Sequence, residues 1–265
     1  MINANTIRTP AVAGMFYPAD AHELQMMVND FLKETNTYSE KVPKAIIAPH
    51  AGYIYSGPVA ATVYARLTAA RDTINRVVLL GPSHRVPLRG LAATRMANFA
   101  TPLGNIPVDR QAIEEISTLP QVSQLEQAHA QEHSLEVQLP FLQEVLSDFN
   151  VIPLVVGDAT PEQVGEVLEK LWGGEETLIV ISSDLSHYHD YETAQKMDKL
   201  TSQAIENLRP EDIHYEQACG RIPLNGLLHL ARARGMHAQT VDLRNSGDTA
   251  GPKDQVVGYG AYVFN

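Results

Sequence analysis

The sequence contains one cysteine, Cys219, among 265 residues. A single thiol cannot close an internal disulfide, which excludes a small secreted scaffold held by cross-links. Basic residues are also scarce: 20 Lys and Arg stand against 31 Asp and Glu, for a net charge of -11. A nucleic-acid binder would carry a basic stripe and an anionic membrane would attract polybasic segments, so neither partner is expected. No apolar run approaches the ~20 residues that cross a bilayer. Met1 to Pro18 lack the apolar core of a signal peptide behind a basic start. A cytoplasmic protein is the expectation.

Several catalytic signatures are missing as well. The segment Gly52 to Gly57 lacks the Gly-Lys-Ser/Thr ending of a phosphate-binding P-loop. There is no Gly-x-Ser-x-Gly elbow to mark a serine nucleophile. Without a Cys-x-x-Cys pair, a structural zinc site is not expected. The chain also shows no internal repeat of about 20–50 residues and no break in composition, so residues 1–265 read as one domain.

What is present is a phrase written three times. Ala45-Ile46-Ile47-Ala48 runs into Pro49-His50-Ala51-Gly52, Val77-Val78-Leu79-Leu80 into Gly81-Pro82-Ser83-His84, and Leu178-Ile179-Val180-Ile181 into Ser182-Ser183-Asp184-Leu185-Ser186-His187. Each is a short β-rich run ending in a turn that carries a histidine. Continuous apolar runs of this length suit strands buried on both faces of a parallel sheet. Helical patterns alternate with them: Ala19 to Glu34, Pro58 to Ala69, Asp109 to Thr118, Glu132 to about Leu146 with a kink at Pro140, Pro161 to Trp172, Tyr191 to Leu208, Arg209 to Gln217, and Pro223 to Arg234. A polar connector is expected from Asn36 to Val42. Further strands are expected near Gly90 to Thr94, Asn150 to Val156, Ala238 to Leu243 and Gln255 to Phe264, with an irregular excursion or hairpin over Phe99 to Pro107 and an ambiguous stretch at Gln121 to Leu125. The alternation predicts an α/β fold, a largely parallel central sheet flanked by helices.

In open α/β sheets the functional crevice lies beyond the carboxyl ends of the strands. His50, His84 and His187 are all expected there. Taken singly each is most simply a hydrogen-bonded structural residue; three at equivalent places point to a site. Cys219 has two readings. It is either a small buried hydrophobe or, at a helix start beside Arg221, a thiol biased toward the metal-binding thiolate. Asp184 shares a turn with His187 and could orient the imidazole, bind metal or accept a proton, or simply hold its own turn. His133, between Glu132 and Glu136, has a weaker context.

At these residues the chain resembles the Memo family, protein B of the AmmeMemoRadiSam gene set. The resemblance rests on Ala-Gly-Met-Phe-Tyr-Pro at 13–18, Ala-Pro-His-Ala-Gly-Tyr at 48–53, Leu-Gly-Pro-Ser-His at 80–84, Glu-His-Ser-Leu-Glu at 132–136, Ser-Ser-Asp-Leu-Ser-His at 182–187 and Cys-Gly-Arg-Ile-Pro at 219–223. It implies a fold like that of the class III extradiol (LigB-type) dioxygenases, which hold non-haem iron with two histidines and a glutamate. Carried over by motif, His50, His84 and Cys219 are the implied metal ligands, with cysteine where the oxygenases have the carboxylate. His187, Asp184 and His133 are the implied catalytic pocket residues. The softer thiolate shifts preference toward copper or zinc without excluding iron. The resemblance therefore implies copper or iron, with zinc as a third candidate, and redox or oxygen-related chemistry on a small molecule or peptide. It also implies radical-SAM and AMMECR-type proteins as pathway partners. The competing reading is a non-catalytic binding module with a vestigial pocket.

Overall fold

A computed structural model describes residues 6–35 and 41–265. The connector expected from Asn36 onward lies outside the described residues as far as Glu40. The strands are β1 (Ile7–Arg8), β2 (Ala45–Ala48), β3 (Arg76–Pro82), β4 (Leu91–Ala93), β5 (Asn98–Thr101), β6 (Gly104–Pro107), β7 (Val122–Gln124), β8 (Asn150–Val156), β9 (Thr177–Ser182), β10 (His187–His189), β11 (Ala238–Asn245) and β12 (Val256–Phe264). The helices are α1 (Ala21–Lys33), α2 (Tyr53–Tyr64), α3 (Arg110–Ile116), α4 (Glu126–Ala130), α5 (Leu139–Val145), α6 (Pro161–Lys170), α7 (Tyr191–Glu206) and α8 (Arg221–Ala233). None is long and apolar enough to cross a membrane.

A nine-stranded sheet runs β10-β12-β2-β9-β3-β8-β4-β7, with β11 also paired to β12; a small second sheet has the order β1-β5-β6. The centre of the large sheet, β2-β9-β3-β8, is parallel throughout, and β7 joins the edge strand β4 in parallel as well. β12 joins β2, and β4 joins β8, in antiparallel fashion. The sheet is thus mixed, with a parallel core. The three apolar runs form its centre, and their residues from Ala45 to Ala48, Val77 to Leu80 and Leu178 to Ile181 are fully buried. Consecutive burial needs cover on both faces. That cover comes from helices: α2 lies on β2 and β12 and packs with α1 and α5, while α8 lies on β3 and β9 and packs with α6. Each large aliphatic side chain sequestered this way contributes roughly 1.5–3 kcal/mol of transfer free energy.

Helix starts follow local chemistry. Asp20, Asp109 and Asp190 cap α1, α3 and α7 through their carboxylates, and Thr160 with Gln163 closes a capping box on α6. Three expectations are corrected. The helix expected from Pro58 begins earlier, at Tyr53, and Pro58 lies inside α2. The carbonyl that its missing N–H leaves free belongs to Ile54, a half-exposed residue of the first turn, where water can satisfy it. The helix expected to run from Glu132 to Leu146 with a kink at Pro140 is instead a turn, a 3₁₀ segment Glu136–Gln138 and then α5, with Pro140 in its first turn. Between Arg209 and Gln217 only Pro210–Asp212 is helical, as one 3₁₀ turn.

Candidate metal centre

The parallel register aligns the strand ends. Ala48 stands opposite Ser182, and Leu80 opposite Ile181. His50, His84 and Asp184 each lie two residues past the end of their strand. This corrects one expectation: the residue at the equivalent place on β9 is Asp184, not His187. After Asp184 the chain is drawn across to β12, where the N–H of Leu185 donates to Gly258 O and the N–H of Gly258 to Ser186 O. His187 therefore sits in β10, antiparallel to β12 opposite Val257.

His50, His84 and His133 form a cluster. One nitrogen from each lies within 4.8 Å of the others, which is metal-ligand spacing. The rings of His84 and His133 stack with centroids 4.5 Å apart, and His50 stands nearly perpendicular to both, at 5.2 and 5.4 Å. Their protonation states follow from their partners. The Ser182 hydroxyl donates to Ser134 O (2.5 Å) and accepts from Gln138 Nε2 (2.8 Å). Its proton is committed, so the 2.8 Å contact with His50 Nδ1 is an N–H donated by the ring. Likewise His84 Nδ1 donates to Glu132 Oε1 at 2.8 Å. The lone pairs of His50 and His84 are thereby left on Nε2, as in histidines held by outer-shell acceptors at metal sites. His133 Nδ1 is buried without a hydrogen-bond partner. Burial, then the neighbouring imidazoles of His84 and His133, push the His50 pKa well below its usual value. The His133 pKa is lowered too, by burial first and by His84 second. Converging imidazoles with one unpartnered nitrogen fit a bound cation.

Glu132 is the residue the sequence reading left without a role. Its Oε1 accepts from the His84 ring and from Ser134 N, and its Oε2 from the His84 backbone N–H. Burial pushes its pKa up, but the His84 ring and these backbone donors outweigh that and hold it at about 2. The segment is riveted from below by Arg8, which donates to the carbonyls of His129 and Glu132 and pairs with the buried Glu136 carboxylate. Glu136 also accepts from Ala11 N, Val12 N and Tyr17 Oη. The spacing in Glu-His-Ser-Leu-Glu was visible in sequence; the partners, 48 and 128 residues away, were not.

Cys219 stands on the His50 side, its Sγ 3.2 Å from His50 Nε2. Two ligands of one ion at the usual bond lengths of about 2.0 Å to nitrogen and 2.3 Å to sulfur stand roughly 3–4 Å apart. Gly220 permits this placement: a Cβ there would come within 2.6 Å of Ser182 O. Gly81 plays the same part on β3, where a Cβ would meet Ser134 Oγ at 2.6 Å. Of the two readings of this thiol, the metal-free surroundings favour the small hydrophobe over the helix-start thiolate. Burial pushes its pKa strongly up, and the Asp184 carboxylate adds to the shift. Arg221 instead rests over the Tyr215 ring, 5.7 Å from its centroid. A coordinated cation, not the helix, is what would ionise this sulfur.

Asp184 is buried; its Oδ1 accepts from His50 N at 2.7 Å and its Oδ2 is 4.0 Å from His50 Nε2. Burial raises its pKa, against the opposing charge of His187. His187 Nδ1 donates to Leu185 O at 2.8 Å, so Nε2 is its free ring nitrogen. Two cavities meet here. One of about 540 Å³ is lined by His50, His84, His133, Asp184 and His187. The other, about 840 Å³, reaches the same centre through His84, His187 and Cys219. Tyr188, exposed and with a left-handed φ of 60°, walls both.

A family model described as "Memo-like protein" matches residues 8–263. A MEMO1 family protein of Aquifex aeolicus is 39% identical, over 97% of this chain and 99% of its own length. One from Ignicoccus hospitalis is 36% identical, over 97% and 98%. The solved structure of the uncharacterized protein JW3007 from Escherichia coli K12 superposes with a TM-score of 0.53 at 13% identity, covering 84% of this chain and all of that one, a likeness of fold alone. With the family model matching nearly end to end and relatives aligned over almost their full lengths, the chain belongs to the Memo-like protein family.

Proposed function

We propose that this protein is a metal-dependent redox or oxygen-related enzyme whose ion is held by His50, His84 and Cys219, with His133 closing the donor set. The observation that carries the reading is the His50–His84–His133 cluster with its lone pairs fixed by Ser182 and Glu132. Bound copper or iron, or zinc as the third candidate, would supply redox or Lewis-acid chemistry at that centre. The chain itself does the rest. Ser182 and Glu132 hold the His50 and His84 rings in the ligating tautomer. His187 Nε2, with Nδ1 committed to Leu185 O, is placed to accept a proton from a bound molecule. Asp184, its proton retained more readily because it is buried, is placed to hold or return one. Phe16, whose ring lies 4.8 Å from that of His133, and Tyr259 wall the smaller cavity. We propose radical-SAM and AMMECR-type proteins as its partners in the same pathway.

Protein purified without chelators should carry about one copper, iron or zinc ion per chain. A His50→Ala, His84→Ala double variant should lose it. If wild type binds added metal no more tightly than the double variant, the reading is lost and the cavity is left as a metal-free binding pocket.

A further inference from the structure

The larger cavity has a chemistry that the metal centre does not use. Its inner end is the metal side, at His84 and Cys219, and its walls are apolar at Val86, Leu88 and Ile222. Arg221 lines it, two residues along the chain from Cys219. Among the described residues, the arginines at 8, 76, 209, 232, 234 and 244 are paired with carboxylates. The Arg221 side chain, like those of Arg66, Arg85 and Arg89, has neither an ion pair nor a hydrogen bond among the described residues, and of these four only Arg221 lines this cavity, although the chain carries 31 acidic residues against 20 basic. The cavity's own carboxylates, Asp158 and Glu216, are exposed, and neither lies within ion-pair distance of it. Arg221 is a half-buried residue, and its Cζ lies 5.7 Å from the centroid of the Tyr215 ring. That contact uses none of the N–H donors of the guanidinium fork.

We infer that the larger cavity is a subsite for a small organic oxyanion, with Arg221 gripping the anionic group and the apolar walls holding the body between it and the metal side. A carboxylate and a phosphate share the planar, two-pronged acceptor edge that a guanidinium matches. The inference rests on the metal-centre reading only for the direction in which the ligand lies; the anchor itself needs no metal.

The test uses three fluorinated probes of one shape: 4-fluorobenzoate, 4-fluorophenylphosphonate and, as the neutral control, 4-fluorobenzyl alcohol. Fluorine line broadening is titrated against the full-length protein, metal-free and cobalt-loaded. Both anions should bind more tightly than the alcohol, and the tighter of the two identifies the preferred anion. Arg221→Ala should weaken the anions by at least about tenfold, the loss expected for one charge-assisted contact, and leave the alcohol within about twofold. Arg221→Lys, which keeps the charge without the fork, should recover part of the loss, and circular dichroism of each variant checks the fold. The inference is overturned if the alcohol binds as well as the anions, if no probe saturates, or if correctly folded Arg221→Ala and Arg221→Gln both keep wild-type anion affinity. Cobalt should broaden the bound anion further. Arg221-dependent binding without that broadening would count against the metal reading and leave the anion subsite standing.

Discussion

Glu132 illustrates how a carboxylate that binds nothing itself can control a site. It takes three N–H donors, two from His84 and one from Ser134, and so fixes both the ring and the loop that delivers the adjacent His133. Outer-shell partners of this kind typically carry about 10–100-fold of metal affinity. Glu132→Gln should weaken metal binding by about that factor, read by competition with a chromophoric chelator, while circular dichroism stays unchanged. Unaltered affinity would mean that His84 needs no orienting acceptor. Sequence could not single out Glu132, because an acidic residue beside a histidine is ordinary until the second histidine arrives from 48 residues away.

At the scale of elements, the centre depends on two close approaches between loops and strand ends. Both are made at glycines, Gly81 against Ser134 and Gly220 against Ser182 and Ser183. Gly220 has an ordinary φ of -88°, so a side chain there meets only a steric problem. Its Cβ would press within 2.6 Å of a backbone oxygen, which does not move as a side-chain tip can. Gly220→Ala should cost about 1–3 kcal/mol of stability and shift Cys219 off His50, weakening the cobalt–thiolate charge-transfer band. Gly235→Ala is the control. There φ is 65° and nothing lies within 4 Å, so roughly 1 kcal/mol of backbone strain is expected with the cobalt spectrum intact. If both variants leave the spectrum alike, the close approach at Gly220 does not position the sulfur.

Stability against acid belongs to the whole molecule, and His129 is a clear contributor. It is buried, its Nε2 donates to Ala92 O, and its backbone carbonyl accepts from Arg8. Burial lowers its pKa from 6.5 to about 4, with the nearby Arg8 charge a smaller push in the same direction. Between those values the unfolded chain binds a proton at this site and the folded chain does not, so stability falls as pH falls from 6.5 to about 4. The shift corresponds to about 3 kcal/mol over that window. In metal-free protein, urea denaturation in steps across the window should show a shallower loss for His129→Gln, which can keep the donor to Ala92. An identical slope in both would place the titration elsewhere.

Much of this architecture is legible along the chain. The apolar runs at 45–48, 77–80 and 178–181 predict their own burial, because hydrophobic patterning is local and a strand needs only its neighbours in sequence to be recognised. Cap residues such as Asp109 and Thr160 mark helix starts for the same reason. The motifs around His50, His84 and Cys219 identify the family. Tertiary structure alone decided that Asp184 rather than His187 takes the third strand-end position, that His133 joins His50 and His84, and that Cys219 Sγ lies 3.2 Å from His50 Nε2. These outcomes depend on strand order, register and burial. Such quantities are set by pairings across the whole chain, between residues as far apart as His50 and Ser182. No window of sequence contains them.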